Sequence, residues 1–196
     1  MNRFPCEQYA TLELNQVAFP KTGMVVSQTP LGAKFTTDSS VTGAYGVCEN
    51  GMWVVADKAA GVIDAPAATT DKPIGIVYTT EKEYDIFHYG LKTFGRKVAG
   101  DYPRVGILSV GDTVTTNCLQ YDTANFANDA ALDTYLKGDL SATNTAAYVI
   151  VKAGSAIPEI VKSLPQNYAG AYGRIVKYYT VPNGEKGVKY QIVHLA

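Results

Sequence analysis

The feature that most constrains this chain is its punctuation. Short runs rich in Val, Ile, Thr and Tyr recur along all 196 residues with Gly, Pro, Asn or Asp between them, the pattern of strands joined by tight turns. Nine such runs fall at residues 23–28, 45–48, 52–56, 74–80, 104–110, 113–119, 148–152, 174–181 and 188–195. β-Branched and aromatic side chains lose rotamer freedom in a helix and pack well on a pleated surface. So many of them predict a mainly β fold, a small β-barrel or sandwich core with long loops.

Two turns are chemically specified. Asn50-Gly51 separates YGVCE from MWVVA, and Asn-Gly accepts the positive φ that both central positions of a type I′ hairpin require. Pro182-Asn183-Gly184 is placed to reverse the last two strands. One short helix is predicted at 128–137 (NDAALDTYLK), with Asn128 or Asp129 as cap, Gly138 as stop, and Ala131, Leu132, Tyr135 and Leu136 on one apolar face. Residues 158–164, ending before Pro165, read equally well as a second helix or an irregular loop. Residues 57–73, low in bulky groups and rich in Ala, Asp and Pro, read as a long surface loop.

The start of the chain is different. Between Pro5 and Pro20 lie Tyr9, Leu12, Leu14, Val17 and Phe19 without a turn signal or a clean period. Fully extended, residues 1–22 would reach roughly 70 Å at about 3.4 Å per residue. Two readings follow: an arm that reaches a neighbour, or an N-terminal strand docked on its own domain through Leu12 and Leu14. The predicted organisation is an N-terminal arm over 1–22, a β-barrel core over 23–122, and a helix plus C-terminal hairpin region over 123–196 that could form a second small β subdomain.

Charge excludes some partners. Seventeen Lys and Arg face eighteen Asp and Glu, so there is no cationic excess to displace counterions from a nucleic-acid backbone. No apolar segment is long enough to span a bilayer and no secretory leader is visible. Neither nucleic acid nor membrane is expected as a partner. Three cysteines, Cys6, Cys48 and Cys118, make a poor disulfide framework and fit a reducing compartment.

Reaction chemistry is sparse. The two histidines, His88 and His194, have no second imidazole or thiol at metal-ligand spacing. His194 falls in the alternating strand VKYQIVHL on the face of Tyr190 and Ile192. Phosphate-binding glycine loops and the Gly-x-Ser-x-Gly elbow are missing from the sequence, and the acidic run EKEYD at 81–85 reads as a solvated strand end. No cofactor, metal or catalytic residue is expected. Tyr168, Tyr172, Tyr178, Tyr179 and Tyr190 crowd the C-terminal region, where amphipathic rings suit sheet packing, a subunit interface or a ligand platform. Trp53, the single tryptophan, is expected to pack beside the Asn50-Gly51 turn.

The run Pro73-Ile74-Gly75-Ile76-Val77-Tyr78, the charged stretch to Asp85, and Pro103-Arg104-Val105-Gly106-Ile107-Leu108-Ser109-Val110-Gly111-Asp112-Thr113-Val114 together resemble the core of tailed-bacteriophage head decoration proteins. The resemblance covers residues 43–120. It implies a small β-barrel that assembles as a homo-oligomer, a trimer first, on the outside of a finished head, with the major capsid protein as partner and the virion as location. The arm would then supply anchors to a neighbour, Arg3, Phe4, Tyr9 and Phe19 before others. A tail-tube or head–tail connector subunit, a carbohydrate-binding adhesion module using the C-terminal tyrosines, and a thiol enzyme built on Cys48 or Cys118 are the competing expectations.

Overall fold

The computed structural model describes residues 1–6, 10–13, 24–57, 59–79, 97–141, 146–180 and 184–196. They form a mainly β structure with one helix and two sheets. The strands are β1 (Asn2–Arg3), β2 (Val25–Val26), β3 (Trp53–Asp57), β4 (Val62–Asp64), β5 (Ile74–Val77), β6 (Val105–Ile107), β7 (Thr113–Thr116), β8 (Gln120–Tyr121), β9 (Tyr148–Ile150), β10 (Glu159–Val161), β11 (Tyr172–Thr180) and β12 (Lys186–His194). Seven of them make one sheet in the order β1-β8-β10-β9-β11-β12-β7, and five make the other in the order β2-β6-β5-β3-β4. Each order has two ends, so among the described residues the sheets do not close into the expected barrel. The fold is the sandwich-like alternative.

Burial explains the sequence pattern of the five-stranded sheet. Trp53 and Ile76 look toward the seven-stranded sheet, in a cluster with Val114, Tyr190 and Ile192. Val54, Ala56, Val77 and Val105 look the other way, against Leu31, Phe35 and Cys48. A strand covered on both faces needs no polar alternation, which is why β3 and β5 read as unbroken apolar runs. The long strands β11 and β12 pair from Tyr172↔His194 to Thr180↔Lys186, so the C-terminal hairpin forms as expected, while 181–183 lie outside the described residues.

Four sequence expectations change. Asn50-Gly51 is a tight turn, with Gly51 at φ +93°, but it joins no hairpin: β3 pairs with β4 and β5, and Cys48 only bridges Lys97. Asn50 instead clamps Thr79, accepting from its N–H at 2.8 Å and donating to its carbonyl at 3.0 Å. Residues 158–164 hold strand β10, laid parallel to β8 and antiparallel to β9. The loop at 57–73 contains β4, whose Ile63 is fully buried and bridges Leu31. Finally, the seven-stranded sheet takes β1 from the arm segment, β7 and β8 from the middle, and β9 to β12 from the end, so boundaries at 22 and 122 separate no layer.

The helix is as expected. Helix α1 (Asp129–Leu136) starts at Asn128, whose side-chain oxygen accepts from the Ala131 N–H at 2.9 Å, and it buries Leu132 and Leu136.

Candidate functional site

The predicted anchors divide. Tyr9 and Phe19 lie outside the described residues. Arg3 and Phe4, expected as anchors onto a neighbour, both make contacts within this chain. Phe4 is 2% exposed; its N–H donates to the Leu119 carbonyl at 2.9 Å and its ring meets Tyr178 edge-on at 6.5 Å. Arg3 makes a two-pronged contact with Glu49, at 3.1 Å to Oε1 and 2.7 Å to Oε2. The Ala10 N–H also donates to Glu49 Oε2, at 2.7 Å. Farther on, Leu12 bridges Thr116 and the Glu13 N–H donates to the Thr115 carbonyl at 2.9 Å. In the described parts of 1–13 the strand-docking reading prevails over the reaching arm, because Phe4 and Leu12 bury more apolar surface here than an exposed arm could.

Around Arg3 the ionisable groups are held still. Burial works against the guanidinium's charge, but the Glu49 carboxylate and the neighbouring Cys118 and Cys6 together outweigh it and raise the Arg3 pKa. Burial pushes the Cys48 and Cys118 thiols well above their ordinary value. Burial also raises Cys6, with Arg3 pulling the other way. Thiols shifted in that direction carry little thiolate at neutral pH. His88 and the acidic run at 81–85 lie outside the described residues. Among the described residues no group of three or more His, Cys, Asp or Glu is arranged to hold a metal.

One row of the seven-stranded sheet gathers chemistry that the sequence scatters. Register pairs Glu159 with Ile150, Ile150 with Tyr172, and Tyr172 with His194, and directly paired residues project from the same face. His194 stacks on Tyr172 with centroids 5.4 Å apart and planes 16° apart. Tyr148 and Tyr168 meet Tyr172 edge-on at 6.1 and 6.3 Å. Tyr178, Tyr179 and Tyr190 belong elsewhere: the Tyr178 hydroxyl donates to Asp133 at 2.6 Å, and Tyr190 is wholly buried beneath Trp53.

A second surface lies on the edge of the five-stranded sheet. Among the described residues strand β2 pairs on one side only, with β6, and the Ile107 N–H donates to the Met24 carbonyl at 3.0 Å. That pattern places Val25 at a non-hydrogen-bonded position, so its own N–H and C=O point to the open side. Beyond β2 the edge closes: Leu31 is held on both sides, its N–H donating to the Asp101 carbonyl at 2.9 Å and its backbone bridging Ile63. Met24 and Val25 at this edge are 52 and 40% exposed, and Val98 and Tyr102, in the segment that leads into β6, are 42 and 60% exposed; the four are half of the large exposed hydrophobics among the described residues. Sequence reading missed them because no local pattern distinguishes an exposed Met or Tyr from a core one.

Compared with family models, curated proteins and solved structures, the chain matches none.

Proposed function

We propose that this chain is a virion structural protein of a tailed bacteriophage, binding the outside of the head as a decoration or cement protein with the major capsid protein as its partner. The observation that carries the reading is the β2 edge, where Met24 and Val25 are exposed beside the outward-facing backbone groups of Val25, together with the exposed Val98 and Tyr102 in the segment that leads into β6. Exposed aromatic and long apolar side chains are the usual anchors of a specific contact, and an open edge can take a strand from a partner. The near balance of charge and the resemblance over residues 43–120 point the same way. Homo-oligomerisation, with the trimer as first expectation, would repeat the contact at many lattice points and multiply weak affinities.

The test mixes the purified protein with empty heads of the phage that encodes it and measures co-sedimentation and images the particles. Saturable binding that falls at least tenfold in the double variant Met24→Ser, Tyr102→Ala supports the reading. Rings formed by the protein alone, with no binding to heads, would replace it with a tail-tube or connector subunit. Deleting residues 1–20 is not a usable variant, since it removes Phe4 and Leu12 from the core.

A further inference from the structure

We propose that a groove beside β9 and β10 is a carbohydrate-binding site for a neutral oligosaccharide, independent of the β2 edge and of the capsid reading. The groove encloses about 520 Å³, within the range of small-ligand sites. Its floor is the sheet row that carries Glu159, and its walls are Asn125, Lys152, Ser163, Pro165 and Tyr168.

Three groups at the groove, Glu159, Asn125 and Tyr168, have the chemistry that a sugar needs. Glu159 is 5% exposed, and among the described residues Lys152 is its one side-chain partner, Nζ to Oε2 at 3.1 Å. A single cation leaves the other oxygen, Oε1, able to accept from a sugar hydroxyl, and a charged acceptor makes a strong bond of that kind. Holding the carboxylate with one lysine costs desolvation that a purely structural position would avoid by an apolar residue. The Asn125 side-chain amide makes no hydrogen bond among the described residues, though the residue is half-buried at the groove; it offers both donors and an acceptor.

Tyr168 supplies the apolar partner. Its hydroxyl donates to the carbonyls of Val151 and Ala171, at 3.1 and 3.3 Å, so ring, not hydroxyl, is what it presents to the groove. The C–H face of a pyranose packs on such a ring, and a ring already fixed costs little entropy to use. Tyr172, His194 and Tyr148 extend the aromatic surface away from the groove on the same face. Together they give room for a second or third sugar unit. A balanced Lys–Glu pair and a neutral amide recognise hydroxyls rather than phosphate or carboxylate, which sets the ligand class as uncharged.

The experiment titrates the full chain with four hexasaccharides, gluco-, manno- and galacto-configured and N-acetylated, following heteronuclear shifts of the Asn125 side-chain amide and binding heat. At least one should bind, with shifts confined to the groove. Asn125→Ala and Glu159→Gln should each weaken it at least tenfold, and Tyr168→Phe should retain it. Asn125→Ala removes no core contact and keeps the test valid if Glu159→Gln misfolds. Binding by none of the four, or equal binding by Asn125→Ala, overturns the proposal. Head binding is read separately: Asn125→Ala should co-sediment with particles as the unaltered protein does.

Discussion

The indole N–H of Trp53 donates to the hydroxyl of Tyr190 at 2.9 Å, and the two rings meet edge-on at 5.9 Å. Trp53 lies on β3 and Tyr190 on β12, so this one bond crosses between the sheets inside a cluster where both residues are at most 1% exposed. Burying two polar atoms in such a place is tolerable only because each satisfies the other. Tyr190→Phe leaves the ring and strands the indole N–H, which should cost about 1–3 kcal/mol. Urea unfolding measures it, and a loss under about 0.5 kcal/mol would mean that the bond contributes little.

Arg3 and Glu49 make the corresponding test of the N-terminal segment. The Glu49 side chain is 6% exposed and Arg3 33%. Among the described residues, removing the cation leaves the buried carboxylate with only the Ala10 N–H. Arg3→Ala should therefore destabilise by about 3 kcal/mol, the low end for breaking a buried pair because Arg3 is partly wet. It should also raise the rate of limited proteolysis within residues 1–13. Unchanged proteolysis would mean that Phe4 and Leu12 alone hold the segment.

Gly51 carries two constraints at once. Its φ is +93°, and an added Cβ would come within 2.6 Å of the Cys118 Cβ and 2.7 Å of Thr116 Oγ1. Gly51→Ala should cost at least about 2 kcal/mol, backbone strain and overpacking adding together. Gly43, at φ +72° with nothing within 4 Å of its Cβ position, should lose only about 1 kcal/mol on the same change. Thermal melts of the pair separate strain from crowding, and equal losses would remove the Cys118 contact from the explanation.

Much of the fold was legible where burial and turn chemistry act locally. The runs at 52–56, 113–119 and 188–195 became β3, β7 and β12, and Asn128 capped α1. What escaped depended on partners far along the chain. Strand β10 is three residues buried on both faces between β8 and β9, so it has neither alternation nor length to announce it. Asn50 carried a true turn signal, yet its side chain serves Thr79, 29 residues away. The row from Glu159 through Ile150 and Tyr172 to His194 exists only through the register of four strands; the tyrosine count pointed to the region, and nothing local pointed to Glu159 or Asn125.

Alkaline pH should expose how the tyrosines are buried. Burial pushes Tyr168 up to about 12, with the Glu159 charge adding to it, and pushes Tyr179 up to about 12, with Glu13 adding. Burial raises Tyr178 and Tyr190 further still. In the unfolded chain all would titrate near about 10. Between about pH 10 and 12 the unfolded chain has therefore released protons that the folded chain still holds, so stability falls as pH rises. Below about pH 10 the contribution is complete. Phenolate absorbance should show only a subset of the fourteen tyrosines titrating reversibly, with the remainder appearing together as the chain unfolds. Tyr168→Phe removes one such proton and should make the fall of stability with pH shallower above about pH 10. If every tyrosine ionised near pH 10 with the fold intact, the rings would be open to water and the burial assigned to Tyr168 and Tyr190 would be wrong.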